Sequence, residues 1–160
     1  MNIVIILTAK YLFIASVAIF LLYFAYLWKM QKALFFSLFK LSMISLPLVL
    51  LVAKICSHLI FDPRPFVVEH VKPLIPHIAD NGFPSDHMLL TMALASVIYL
   101  YNRKLGIILA VMAILVGSAR VLAKVHHVED IIGSAVIAVG VIGIVYFLGK
   151  KFYNKFFDLS

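Results

Sequence analysis

The stretch GSARVLAKVHHVED, residues 117–130, lies between two long apolar runs and decides how the chain must fold. Its charges would be very costly in hydrocarbon, so they must line a wet or protein-lined site. Arg120, His126 and Asp130 form a plausible nucleophile set, in which arginine holds an anion, neutral imidazole attacks it and the carboxylate fixes the imidazole tautomer. Taken alone, the stretch is equally well interpreted as an interfacial loop with snorkelling basic residues.

The composition places almost the whole chain in a membrane. The chain has 160 residues, of which 64% are hydrophobic and 13% charged, and its mean hydropathy is +1.10. Soluble domains are nearer half apolar. Because one helical span takes about 20 residues, the length allows about five spans and no separate soluble domain. We therefore predict an all-α polytopic transmembrane helix bundle that forms one membrane-embedded domain over residues 1–160.

The predicted spans follow the apolar runs at residues 3–28, 41–61, 85–101, 105–122 and 131–148. Ser85 or Asp86 is the expected N-cap of the third span. The long polar segment at residues 62–83 is interrupted by prolines and cannot be a span, although residues 66–78 are expected to form a short interfacial helix. The last run contains small residues that are expected to let helices approach closely. These are Gly133, Gly140, Gly143 and Gly149.

The charged loops sort onto two sides of the predicted bundle. One side carries almost only basic residues, with Asp158 as its single acid. These basic residues are Lys29, Lys32, Lys40, Arg103, Lys104, Lys150, Lys151 and Lys155. The positive-inside rule places this side in the cytoplasm, so the N-terminus, the polar segment and residues 117–130 face outward. The net charge of +7 then reflects orientation and contacts to anionic lipid heads, not nucleic acid.

The histidines and cations of the outer side indicate one anion site. All six histidines, from His58 to His127, fall in or beside this side. The cations Lys54, Arg64 and Arg120 and a helix N-terminus at Ser85 suit a phosphate. Two histidines supply both halves of a hydrolysis, because one attacks phosphorus while the other protonates the leaving oxygen and then activates water.

Neither a metal nor a cofactor is expected. Arginine and lysine can stabilise the phosphoryl charge without a metal. The sequence also contains no C-x-x-C spacing, and its single cysteine, Cys56, lies in an apolar run where a buried small hydrophobe is the favoured interpretation.

Three segments resemble the signature motifs of the type 2 phosphatidic acid phosphatase superfamily, the membrane lipid phosphatases related to vanadium haloperoxidases. The family pattern is Lys-x6-Arg-Pro, then Pro-Ser-Gly-His, then Ser-Arg-x5-His-x3-Asp. Arg64-Pro65 matches the end of the first motif, and residues 84–87 match the second with Asp86 in place of glycine. Residues 119–130 match the third motif in spacing, with Ala119 in place of serine. The lysine position of the first motif is Ser57, and Lys54 lies about one helical turn earlier.

The resemblance implies a role for each matched residue. His126 is expected to be the nucleophile that becomes phosphohistidine, Asp130 to orient it, and His87 to act as general acid and then as base. Residues expected to hold phosphate oxygens are Lys54, Arg64, Ser85 and Arg120. Asp86 is a further candidate near the leaving group or a diphosphate.

Other polar residues of the outer side have less specific interpretations. His58 is a candidate phosphate contact, with helix packing as an equal alternative. His70 and His77 are expected in a solvated loop. His127 is expected to face away from the site because adjacent residues diverge, and Lys124 is expected to be a solvated interfacial lysine.

Asp86, together with Arg64-Pro65-Phe66, looks like the undecaprenyl pyrophosphate phosphatase, or bacitracin-resistance, subgroup. This resemblance implies hydrolysis of undecaprenyl pyrophosphate to undecaprenyl phosphate and phosphate in the bacterial cytoplasmic membrane, which recycles the cell-wall carrier for peptidoglycan. The alternatives are a phosphatase of phosphatidylglycerol phosphate, phosphatidic acid or a lipid A phosphate, and a phosphotransferase that uses another lipid as acceptor. A small anion-binding or transport membrane protein is the alternative outside the enzyme class.

Overall fold

The chain forms a helix bundle. The structure, a computed structural model, describes residues 2–152, and the regular elements of that range are all helices, with one isolated bridge between Pro63 and Asn81. The helices are α1 (Asn2–Met30, with a π-helical turn at Thr8–Leu12), α2 (Lys32–Leu59), α3 (Pro65–Val68), α4 (Asp86–Tyr99), α5 (Arg103–Leu122) and α6 (Val128–Phe152). The predicted all-α bundle is confirmed. Lys155 and Asp158 of the charge pattern lie outside the described residues.

Four helices of the described range are long and apolar enough to cross a membrane, namely α1, α2, α5 and α6. They make the chain a multi-pass membrane protein. The predicted third span is shorter than expected, because α4 has only 14 residues and is therefore about 21 Å long, less than the hydrocarbon thickness of about 30 Å.

Helix α4 is the centre of the bundle. It contacts α1, α2, α5 and α6, and nine of its 14 residues are buried, so nearly its whole circumference faces protein. A helix in such a position needs apolar residues around its whole circumference and not only along one stripe, and the sequence of α4 is almost uniformly apolar. The site residues at its N-terminus are thereby held by a helix that is surrounded on all sides.

Small residues let particular elements approach closely. A Cβ atom on Gly106 would clash with the backbone of Tyr99, and one on Gly117 would lie 2.6 Å from Cγ2 of Ile131. The prediction for the last apolar run holds only in part. A Cβ on Gly133 would clash with the ring of Phe83, whereas one on Gly140 or Gly143 would meet nothing within 4 Å, so for these two glycines the prediction is wrong.

The polar segment between α2 and α4 is mostly irregular. The short helix expected over residues 66–78 is limited to the single turn of α3, because Pro73 and Pro76 provide no N–H and His70 adopts a left-handed backbone with φ of 53°. The backbone N–H of Phe66 donates to Lys124 O at 3.2 Å, and that of Leu74 donates to Ala123 O at 3.1 Å. The segment is therefore fastened over the turn that joins α5 to α6.

Candidate active site

His126 is held in one orientation in the turn between α5 and α6. The side chain is 2% exposed, and its Nδ1 lies 3.0 Å from Gly82 O and 3.2 Å from Asp130 Oδ2. Both of these neighbours are acceptors, so Nδ1 carries the ring proton and donates it. The lone pair is thereby assigned to Nε2, the atom that can attack an electrophile.

Arg64 lies against Nε2 of His126. Its Nη1 is 3.3 Å from His126 Nε2 and donates to Val125 O at 2.8 Å, while Nε donates to Asp80 Oδ1 at 2.6 Å and Nη2 to Asn81 O at 3.3 Å. Burial raises the pKa of Asp80, but the hydrogen bond and charge of Arg64 outweigh it and hold that pKa below its usual value. The guanidinium is thus fixed beside Nε2 of His126.

The electrostatics favour the neutral form of His126. Burial is the largest cause that lowers its pKa below 6.5, and the charges of Arg64 and Arg120 act in the same direction. The hydrogen bond to Asp130 opposes them without reversing the shift. At neutral pH the imidazole therefore keeps the lone pair that nucleophilic attack requires.

Two buried polar atoms indicate where an anion would bind. Among the described residues, Ser85 Oγ and Arg120 Nε have no hydrogen-bond partner, although Ser85 is 0% and Arg120 4% exposed. Ser85 occupies the N-cap position of α4, but its side chain makes no capping bond, contrary to the expectation from the sequence. Buried polar groups are normally satisfied, so these two point to a ligand such as phosphate.

Lys54 and Asp86 line a cavity together with Arg64. This cavity has a volume of about 330 Å³ and also exposes Asp80 and Ser57. Ser57, at the family's lysine position, accepts a hydrogen bond from Asn81 Nδ2 at 3.2 Å on its Oγ, whereas Lys54 reaches the same cavity one turn earlier. This placement is consistent with the substitution expected for the first motif.

His87 is the second residue of α4, where it interacts electrostatically with Arg120, His126 and Arg64. Its ring packs against that of Phe13 with the centroids 4.6 Å apart. The first helix thus contributes to the site by holding the second histidine.

His127 makes a second contact between a histidine and a carboxylate, next to His126. Its Nδ1 lies 3.0 Å from Asp62 Oδ2, and its backbone N–H donates to Asp130 Oδ2 at 2.9 Å. Burial and the charge of Asp130 raise the pKa of Asp62, against the opposing effect of His127. These three residues each offer a ligand atom within 4.8 Å of the others, as a cation site requires. However, these atoms already take part in the His127–Asp62 contact and in orienting His126.

Asn81 is a structural residue of the site that sequence reasoning did not single out. Its Nδ2 donates to the carbonyls of Ser57 and Ile60, both at 2.8 Å, and its Oδ1 accepts from the N–H groups of Asp62 at 2.9 Å and Phe83 at 3.1 Å. The side chain thereby fastens the Arg64 loop to the end of α2. Its position in the irregular polar segment gives no sequence signal for these bonds.

Three further predictions have mixed outcomes. His77, expected in a solvated loop, packs edge-on against the ring of His126 with the centroids 6.2 Å apart. His58 is exposed, and its Nδ1 lies 2.7 Å from Lys54 O of its own helix. No described contact joins it to the cluster of site residues, which are Arg64, Ser85, His87, Arg120, His126 and Asp130. Lys124 is exposed as expected, but it pairs with Glu69 at 2.9 Å. Only the common outward placement of the histidines hinted at His77.

The sequence matches one protein family and several curated proteins. The profile of the PAP2 superfamily matches residues 41–153. The chain is 39% identical over 99 residues to the undecaprenyl-diphosphatase BcrC of Bacillus subtilis (strain 168), an alignment that covers 62% of this chain and 51% of that protein. It is 34% identical over 90 residues to the bacitracin transport permease protein BcrC of Bacillus licheniformis, covering 56% and 44% of the two chains.

A third relative, the putative undecaprenyl-diphosphatase YbjG of Escherichia coli (strain K12), is 32% identical over 120 residues, which is 70% of this chain and 59% of that protein. The chain spans about half the length of the curated relatives it matches. No solved structure matches it. The profile match covers more than half of the chain and includes all the residues of the cluster, and on this basis the chain belongs to the PAP2 superfamily.

Proposed function

We propose that the chain is a membrane lipid phosphatase that hydrolyses undecaprenyl diphosphate to undecaprenyl phosphate and phosphate. The observation that carries the proposal is the fixed tautomer of His126, with Nδ1 on Asp130 and Gly82 O and Nε2 beside Arg64. The diphosphate substrate is supported by the names of the relatives from Bacillus subtilis and Escherichia coli, an undecaprenyl-diphosphatase and a putative one.

In the first half of the reaction, Nε2 of His126 attacks the terminal phosphorus. The bond from this phosphorus to the bridging oxygen breaks, and His87 protonates the oxygen that leaves with undecaprenyl phosphate. Arg64, Arg120, Ser85 and the N-terminus of α4 stabilise the equatorial phosphoryl oxygens. The product of this step is a phosphohistidine on His126.

In the second half, His87 is the base. It takes a proton from water, the water oxygen attacks phosphorus, and the bond from phosphorus to Nε2 breaks. Phosphate leaves with the new oxygen, and His126 regains its lone pair. Asp130 stabilises the imidazolium character of His126 in both halves, because its Oδ2 accepts the hydrogen bond from Nδ1–H throughout.

The proposed site faces the outside of the cytoplasmic membrane. The ends of α2 and α5 and the starts of α4 and α6 carry the cluster, whereas Lys29, Lys32, Arg103 and Lys104 lie at or near the opposite turns. The positive-inside rule assigns those turns to the cytoplasm. The substrate's tail then stays in the bilayer while its head group enters the cluster from the outer leaflet.

The decisive experiment measures phosphate release from undecaprenyl diphosphate by purified protein in detergent with EDTA. We expect release by the wild-type protein and none by His126→Ala. His70→Asn is the matched control, because it removes a histidine of the outer segment while asparagine tolerates the left-handed backbone at this position. Circular dichroism of each variant verifies that the helices are intact.

Transport is the second candidate function, favoured by the similarity to the bacitracin transport permease protein of Bacillus licheniformis. An anion carrier needs the cations but no nucleophile, so its transport would survive His126→Ala better than Arg64→Ala. Release from phosphatidylglycerol phosphate or phosphatidic acid, but not from undecaprenyl diphosphate, would keep the chemistry and replace the substrate. Silence of the wild-type protein on every lipid phosphate would refute the phosphatase proposal.

A further inference from the structure

His77 is the one residue of the irregular 60–85 segment whose ring touches the nucleophile. The two rings meet edge to face, with centroids 6.2 Å apart and an interplanar angle of 77°. The segment is fastened at this place by the hydrogen bond from Leu74 N–H to Ala123 O at 3.1 Å. The contact is therefore part of the fold, although His77 lies outside the two motifs that contain histidines, at residues 84–87 and 119–130.

The charges that face His77 are those of the anion site. Arg64 and Arg120 interact with it electrostatically, as does His87 on α4, and Asp80 of its own segment is the single acid among them. The partly buried ring contacts His126 on one side and, with Pro76 and Ile78, lines a surface cavity of about 440 Å³, which we call the mouth of the site.

The ring has one nitrogen available for a ligand. Nδ1 lies 3.4 Å from Ile78 O, a long contact with an acceptor that favours a proton on Nδ1, and among the described residues no hydrogen bond to Nε2 is found. A protonated Nε2 would donate to an anionic oxygen. Burial, Arg64 and Arg120 lower the pKa of His77 when no anion is bound, and a bound phosphate offsets the two arginine charges and favours the protonated ring.

We propose that His77 binds the second phosphate of a diphosphate head group, the one that remains with the lipid, and thereby makes the enzyme prefer diphosphates over monophosphates. This assignment rests on the proposed function. The transferred phosphoryl group is matched by Arg64, Arg120 and Ser85, which are fully or almost fully buried, whereas His77 is only partly buried and is therefore accessible to the rest of a longer head group.

The test compares kcat/KM for a polyprenyl diphosphate with that for the monophosphate of the same lipid. In His77→Ala we expect the ratio of the two values to fall by at least about tenfold, which is the loss of one charge-assisted hydrogen bond of about 1.5 kcal/mol. His77→Lys keeps a cation at the mouth and is expected to retain most of the ratio. His70→Asn is the matched control, because it changes another histidine of the segment.

Inhibition supplies a readout that does not depend on lipid presentation. In His77→Ala, the inhibition constant of inorganic diphosphate should rise at least about tenfold relative to that of inorganic phosphate. An unchanged ratio in both experiments would overturn the assignment, even if the absolute rates fall. The same holds if His77→Lys loses the preference as fully as His77→Ala. Failure of the proposed function is distinguishable, because the wild-type protein would then hydrolyse neither lipid.

Discussion

The orientation of His126 depends on two acceptors from different parts of the chain. Asp130 lies one helical turn away in sequence, and Gly82 O comes from the segment before α4. A Cβ atom on Gly82 would lie 3.1 Å from Asp130 Oδ2, so only glycine lets the carbonyl and the carboxylate meet the same nitrogen without displacement. The spacing of His126 and Asp130 could be recognised in the sequence, but the contribution of Gly82 could not.

Asp130→Asn should reduce kcat for the proposed hydrolysis by a factor on the order of 10³–10⁴, because an amide can donate to Nδ1 and so move the ring proton to Nε2, the wrong tautomer. Steady-state phosphate release measures the effect, and circular dichroism is the control for folding. A loss of less than about tenfold would contradict the tautomer argument.

The pKa of His126 should lie below 6.5 in the folded protein, because burial and the two arginines disfavour the imidazolium. The charged form should therefore appear only as the pH falls below that value. In Asp130→Asn the pKa should fall further, since the carboxylate raises it. Ring NMR in detergent, with the resonance assigned by its absence in His126→Gln, makes the measurement. Titration at or above pH 6.5 would contradict the prediction.

The contact between the end of α4 and the start of α5 is unusually close. Gly106 packs against the backbone of Tyr99, and no side-chain rotation can relieve a Cβ atom there. The sequence pattern identified both apolar runs, but the distance between them follows from tertiary packing. The last apolar run shows the same limit of sequence analysis, because Gly140 is also a glycine in an apolar helix but makes no such close contact.

Gly106→Ala should destabilise the bundle by about 1–3 kcal/mol, because α5 must move away from Tyr99 to accept the methyl group. Gly140→Ala is the matched control and should be neutral or stabilising by up to about 1 kcal/mol, because a Cβ there meets nothing within 4 Å and alanine favours helix. Thermal unfolding in detergent compares the two variants. Equal melting temperatures would show that the close packing does not limit stability.

The site lies at one end of the helix bundle. The basic turns at Gln31 and Asn102 lie at the opposite end. This arrangement follows from antiparallel helices, since each change of direction exchanges the two sides. The prediction that successive loops lie on alternate sides depended on five spans. The short central helix α4 is consistent with this alternation, because it carries the chain from the end with the polar segment to the end with Asn102.

A cysteine at Val71 should react with a membrane-impermeant maleimide in intact cells, whereas one at Gln31 should react only after permeabilisation. The background is Cys56→Ala, and both positions are exposed. The expectation follows from the lysines beside Gln31, which the positive-inside rule keeps in the cytoplasm. The reverse labelling pattern would place the site in the cytoplasm.

The sequence by itself determined the class of the fold and the residues of the three motifs. Apolar runs must be helical in lipid because their backbone groups can pair only within the segment, and the motif residues are recognisable from local spacing. The contact of His77 with His126 and the bonds by which Asn81 fastens the Arg64 loop could be seen only in the tertiary structure. These features depend on distances between residues far apart in the chain, which irregular segments fix through hydrogen bonds that no periodic pattern encodes.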